Sequence, residues 1–269
     1  MWKVLARKNN LKSSKITAYL LIFIFSAIVI LTSIFSADNI NAVLCGYATK
    51  KLPIYRVERD DKLISISFDC AWGNEYTKQL LDVMDEYGVK CTFFTVSFWA
   101  EKYQDDLKEI VSRGHEIGTH SKTHSYMSKQ GAQAIDEELS YSCKIIENAT
   151  GRKVTLFRAP YGDYDNLLIE RAEKQGLFTI QWDVDSLDWK NLSAKEISLR
   201  VISKTKSGSI ILCHNNGLHT AESLPLIFAD LINKGYKFVK ISDLIYKEEF
   251  AMLSDGTQVK INKDKSNKE

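Results

Sequence analysis

Five short segments of this chain end an apolar run on side chains that could do chemistry. ISFDCAWG puts Asp69 directly after a strand-like stretch, where a carboxylate suits a general base or a metal ligand. HSKTH spaces His120 and His124 four residues apart, on one face of a turn, and such a pair suits a divalent cation. Both imidazoles would bind in the neutral form, so metal affinity should fall below about pH 6. RAPYG sets Arg158 at a strand end, where a guanidinium usually pairs with a carboxylate, and Pro160 and Gly162 shape the turn behind it. DSLDW (Asp185 to Trp189) and LCH (Leu212 to His214) add a second carboxylate, Asp188, and a third histidine, His214. Amide hydrolysis needs such a pair: an acid to protonate the leaving amine and a partner to orient it. Each segment also has a bland reading, as a helix-capping aspartate, a common turn or a chain emerging into water. Several in one chain are harder to set aside than one.

The elements that must position these residues alternate. Strand-like runs fall at Leu63–Phe68, Cys91–Val96, His115–Thr119, Leu156–Arg158, Thr179–Trp182, Ile210–His214 and Phe238–Ile241. Helical patterns lie between them at Glu75–Tyr87, Glu101–Arg113, Ala132–Ala149, Asn166–Lys174, Ser193–Thr205 and Ala221–Lys234. Ser193 and Glu196 form a capping box, and Gly114 and Gly151 close two of the helices. About seven strand–helix alternations imply a parallel α/β architecture, and runs such as CTFFTV and SIILC suit strands buried on both faces. Barrel and doubly wound sheet fit this rhythm equally. No glycine-rich dinucleotide fingerprint follows any strand. In barrels the reactive groups sit at the C-terminal strand ends, where Asp69, His120, Arg158, Asp188 and His214 all fall.

Of the 36 basic residues, five crowd into residues 1–15 without an acid, leaving 31 basic against 34 acidic in the body. A mildly acidic body argues against nucleic acid as a partner. Residues 16–37 carry no charge and as a helix would span roughly 33 Å, enough for a bilayer core. We expect a single transmembrane anchor there, with a cleaved secretory signal as the competitor. Residues 1–15 would then be a cytoplasmic basic segment, 38–60 a stalk, 61–250 the extracytoplasmic domain and 251–269 a disordered polar tail. Five cysteines at irregular spacing, with no CxxC, suggest neither a disulfide framework nor a zinc finger. Cys91 and Cys213 read as small buried hydrophobes.

Taken in order, the five segments closely resemble the polysaccharide deacetylases of carbohydrate esterase family 4, the NodB-homology fold, over about residues 60–245. ISFDCAWGNEYT and IQWDVDSLDWK look most like the sporulation-associated, PdaB-type branch. The resemblance implies a distorted (β/α)7 barrel and zinc-type hydrolysis of N-acetyl groups on amino sugars of a cell-wall polysaccharide, with peptidoglycan the expected one and no obligate protein partner. It assigns Asp69 as base, His120 and His124 as metal ligands and Arg158 as the residue orienting the base. It assigns the Tyr161 backbone N–H to the oxyanion, Leu212 and Trp189 to the pocket walls, His214 as the acid and Asp188 as its tuning carboxylate. Where the pattern has a second aspartate to complete the metal triad, this chain has Cys70. Either its thiolate is the third ligand, or the strand turns the sulfur into the barrel and leaves a weakened site that binds glycan without hydrolysing it.

Overall fold

The computed structural model describes residues 24–26 and 50–261, and the folded unit begins at Lys51. The anchor expected over 16–37 lies, apart from Ile24–Ser26, outside the described residues. Among the described residues no helix is long and apolar enough to cross a membrane.

The chain runs β1 (Arg56–Val57), β2 (Leu63–Cys70), α1 (Thr77–Glu86), β3 (Thr92–Thr95), α2 (Ser97–Lys102), α3 (Gln104–Ser112) and β4 (Glu116–Thr119). It continues with α4 (Ala132–Thr150), β5 (Leu156–Phe157), α5 (Asn166–Lys174), β6 (Phe178–Thr179), β7 (Val184–Asp185), α6 (Ala194–Lys204) and β8 (Ile210–His214). α7 (Thr220–Asn233), β9 (Lys237–Phe238), α8 (Ile241–Leu244), β10 (Phe250–Met252) and β11 (Thr257–Lys260) complete it. One parallel sheet orders its strands β6-β5-β4-β3-β2-β8-β7, with β9 also on β2. β6 and β7 do not pair with each other, so the expected barrel is met as a curled sheet left open between these two strands.

Side chains along β2 alternate between two environments. Ile64, Ile66, Phe68 and Cys70 join the large core cluster with Leu80, Met84 and Trp99 from the helices. Ser65, Ser67 and Asp69 face the other way, inside the curl. On that inner face a second cluster of Ile54, Val57, Phe94, Leu156, Ile180 and Ile210 fills the floor. Gly118 is required beside it, because a Cβ there would come within 2.7 Å of the Phe94 ring and 2.9 Å of the Leu156 carbonyl oxygen.

The helix expected over 101–113 is two helices with a break at Tyr103 (φ −116°, ψ 51°). The capping box at Ser193 forms in full, with the Ser193 hydroxyl accepting from the Glu196 N–H. The stalk and the tail part from expectation. Arg56 and Val57 pair in parallel with Thr257 and Gln258, and β10 adds antiparallel on the other side. Gln258 is buried because its amide accepts from the Tyr246 N–H and donates to the Tyr246 carbonyl, 2.8 and 2.7 Å. Polar composition hid this sheet, since paired backbone rather than apolar periodicity holds it.

His115, at the entrance to β4, is buried with its Nδ1 accepting the Cys91 N–H (3.2 Å) and its Nε2 buried without a partner. Burial, helped by Lys90, pushes its pKa down to about 4. The folded domain therefore refuses a proton that the unfolded chain accepts near its ordinary pKa. Stability should fall as pH drops from about 6.5 to about 4, by about 3 kcal/mol from this residue. Urea midpoints at pH 7 and pH 4.5 should show a smaller drop for His115→Gln than for the native chain, and an equal drop would count against the assignment.

Candidate active site

Asp69 closes β2 on the inner face, in register with His214 of β8 on one side and Phe94 of β3 on the other. Its Oδ1 accepts from Arg158 Nη1 at 2.8 Å. Arg158 is fully buried, donates Nη2 to Ser67 Oγ (2.9 Å) and the Gln181 carbonyl (3.2 Å), and lies 4.2 Å over the Phe94 ring. The two serines on the inner face of β2 leave room for this guanidinium. Burial alone would raise the Asp69 carboxyl, but Arg158 and the nearby imidazoles outweigh it and hold the group below the usual carboxylate range. Asp69 Oδ2 lies 3.5 Å from His120 Nε2.

His120 leaves β4 with its Nδ1 2.8 Å from the Arg158 carbonyl oxygen, which makes Nδ1 the donor and turns Nε2 toward Asp69. His124 packs edge-on against His120 (centroids 4.9 Å), Trp72 (4.8 Å) and Tyr161 (4.6 Å). Burial holds both imidazoles neutral, lowering His120 and pushing His124 down to about 4. Opposite them, His214 Nδ1 donates to Asp188 Oδ1 at 2.7 Å. Asp188 is fully buried and also accepts from the His214 N–H (2.8 Å), the Thr220 hydroxyl (2.6 Å) and the Trp189 N–H (3.0 Å). Burial pulls the His214 pKa down, but Asp188 overrides it, and the imidazole stands above the ordinary histidine value.

Asp69, His120, His124, Tyr161, Asp185, Trp189, Leu212 and His214 thus line one cavity of about 680 Å³. Arg158 and Asp188 stand behind it as partners of Asp69 and His214. Five of the seven non-glycine residues with positive φ among the described residues (Ser121, His124, Tyr161, Leu187 and Asn191) carry or flank this cleft. Such backbone persists only where the surroundings fix it, and it gathers at working sites. Sequence reasoning missed Trp72, Thr220 and Gly217. A Cβ at Gly217 would sit 2.1 Å from Thr220 Oγ1 and 3.0 Å from Asp188 Oδ2, so the glycine lets the acid's support close up. The NNG run after LCH was the available signal for that turn.

The polysaccharide deacetylase family model matches residues 56–180. A peptidoglycan-N-acetylglucosamine deacetylase of Bacillus cereus is 31% identical over 74% of this chain and 93% of its own length. This chain belongs to the polysaccharide deacetylase family. An uncharacterized protein of Bacillus subtilis, YlxY, is 34% identical over 72% of the chain, which spans 60% of that relative's length. Among solved structures, a carbohydrate esterase family 4 pseudoenzyme of Bacillus anthracis matches with a TM-score of 0.70 and 33% identity, covering 72% of this chain and 69% of that one. A mutant of the same pseudoenzyme, with restored enzymatic activity, matches with a TM-score of 0.70 and 34% identity over 72% and 71% of the two chains.

The zinc-type site implied by resemblance to this deacetylase family needs a third ligand beside His120 and His124, and Cys70 does not fit that part. Its side chain is fully buried in the cluster between sheet and helices, with Sγ 3.9 Å from the Phe68 carbonyl, and it is absent from the cavity lining. Burial and the adjacent Asp69 charge push the thiol well up, so it stays protonated. The sulfur points to the helices and not into the barrel, for a simple reason: neighbours on a strand face opposite ways, and Asp69 takes the inner side. Among the described residues no group of three or more His, Cys, Asp or Glu side chains forms a metal-holding set. The donors present are two neutral imidazoles beside a carboxylate already engaged by arginine.

Proposed function

We propose that this cleft takes an N-acetylated amino sugar of peptidoglycan and hydrolyses its acetamide slowly, because base and acid are in place while the metal-ligand set is incomplete. The observation that carries the reading is that Asp69 and His214, each with a partner of opposite charge behind it, open onto one cavity. Asp69 is kept ionised by Arg158, and His214 is kept readily protonated by Asp188. Asp69 Oδ2 can take a proton from an attacking water, while His214 Nε2 can give one to the departing amine. Without that second proton the amine is a very poor leaving group. Trp72, Tyr161 and Trp189, each more than half exposed, offer apolar faces to a sugar ring at the cleft mouth. A glycan substrate outside the cell agrees with the extracytoplasmic location read from the N-terminal segment.

A second reading, a domain that holds wall glycan without turning it over, is favoured by the burial of Cys70 and by the likeness to a pseudoenzyme. One assay separates the two. Acetate release from chitooligosaccharides and peptidoglycan is measured for the native chain and for Asp69→Asn, each with zinc or cobalt added. Slow native turnover that is lost in Asp69→Asn is the expected result, since a positioned proton acceptor is worth about 10²–10⁴-fold to such a reaction. Binding without turnover in either protein would leave the second reading standing. Neither binding nor turnover would remove both.

A further inference from the structure

We propose that Glu138, on α4 and outside the cleft, is the positioning residue that sets the geometry of the imidazole pair; the role rests on the reading of that pair as part of the active site. Its carboxylate is buried and spends all its hydrogen bonds on the loop between the two histidines. Oε2 accepts the backbone N–H groups of both Lys122 and Thr123 at 2.9 Å, and Oε1 accepts the Thr123 hydroxyl at 2.6 Å. Two consecutive N–H groups converging on one carboxylate oxygen form an anion nest, and the anion is supplied from within the chain. The Lys122 ammonium is turned away to Glu137 at 2.7 Å, so the contact is to backbone and not to side-chain charge.

The loop needs this support. Ser121 (φ 74°) and His124 (φ 57°) both sit in the left-handed region that non-glycine residues avoid. One turn further along the same face of α4, Ser142 Oγ lies 2.5 Å from Thr119 Oγ1, which in turn accepts the Ser121 N–H at 3.2 Å. Ser121 Oγ accepts the His124 N–H at 3.0 Å. His120 has a hydrogen bond of its own to fix its ring, whereas His124 Nδ1 is buried with no partner. The orientation of the His124 ring is therefore decided by its aromatic neighbours and by the backbone that carries it, and that backbone is fastened to α4 by Glu138.

Hydrogen exchange and imidazole nitrogen spectra of Glu138→Ala and Glu138→Gln test the proposal without any glycan. In Glu138→Ala the Lys122 and Thr123 amides should exchange about ten- to a hundredfold faster, the equivalent of losing a buried charge-assisted hydrogen bond. Ile211–Cys213 of β8 should keep their native protection. The His120 and His124 imidazole signals should move while those of His214 stay in place, a pattern that a general loss of stability does not produce. Glu138→Gln, which keeps the volume but presents one acceptor oxygen, should change the same amides in the same direction by less. Native exchange at Lys122 and Thr123 in either folded variant, or unmoved His124 signals in Glu138→Ala, overturns the assignment. A failure of glycan binding would instead strike the proposed function and leave the exchange result intact.

Discussion

Asp69→Ala is expected to lower the stability of the domain by about 3–5 kcal/mol, a shift of roughly 6–20 °C in melting temperature for a domain of this size. The cost arises from Arg158 and not from lost packing at Asp69. Arg158 is fully buried, and its other contacts are to Ser67, a carbonyl and aromatic faces, none of them anionic. Removing the carboxylate strands a guanidinium that cannot shed its proton. Asp69→Asn should cost less, because an amide oxygen can still accept from Nη1, yet it should lose acetate release just as fully if Asp69 is the base. Thermal melts of the two variants, set beside their turnover, separate the structural from the chemical role. Equal melting temperatures for the native chain and Asp69→Ala would contradict the pairing.

Asp188→Asn should have the second large effect, on the titration of His214. In the native chain burial works to lower this imidazole and Asp188 works harder to raise it. Take away the charge and burial is opposed only by the Asp69 and Asp185 carboxylates, so the His214 pKa should drop. The sign of the stability change follows. A raised folded pKa contributes stability below the unfolded value near 6.5 and loses it as pH rises through the folded value, so the variant should lose most at acid pH. Acetate release should fall by about 10²–10⁴-fold, the usual worth of a positioned proton donor. Imidazole nitrogen spectra followed across pH give the titration directly, and a His214 midpoint that ignores the substitution would remove Asp188 from the scheme.

Much of this site could be read from residue order alone, because the strand ends that carry it are short polar interruptions in otherwise apolar runs. Asp69, His120, Arg158 and His214 stand where such ends were expected, and the cavity gathers Asp69, His120, His124 and His214. What stayed hidden depends on partners distant in sequence. Nothing near Thr220 announces that its hydroxyl will reach back 32 residues to Asp188, and nothing near Glu138 announces the loop 15 residues upstream. Cys70 is a different matter. The period-two alternation of β2 sets residues 69 and 70 on opposite faces, a facing that the order of residues in the family pattern does not carry. Tyr103 broke a helix that its amphipathic stripe had run straight through, because two short helices can share one stripe.

The small β1–β11–β10 sheet bears on where this domain can be cut. Its strands come from before residue 61 and from residue 250 onward, yet Ile54 and Val57 belong to the floor beneath the cleft. A fragment trimmed to 61–250 would uncover that floor and leave the backbone of Arg56 and Thr257 without each other. Versions of this domain cut from the chain should therefore start near Lys51 and run through Lys260.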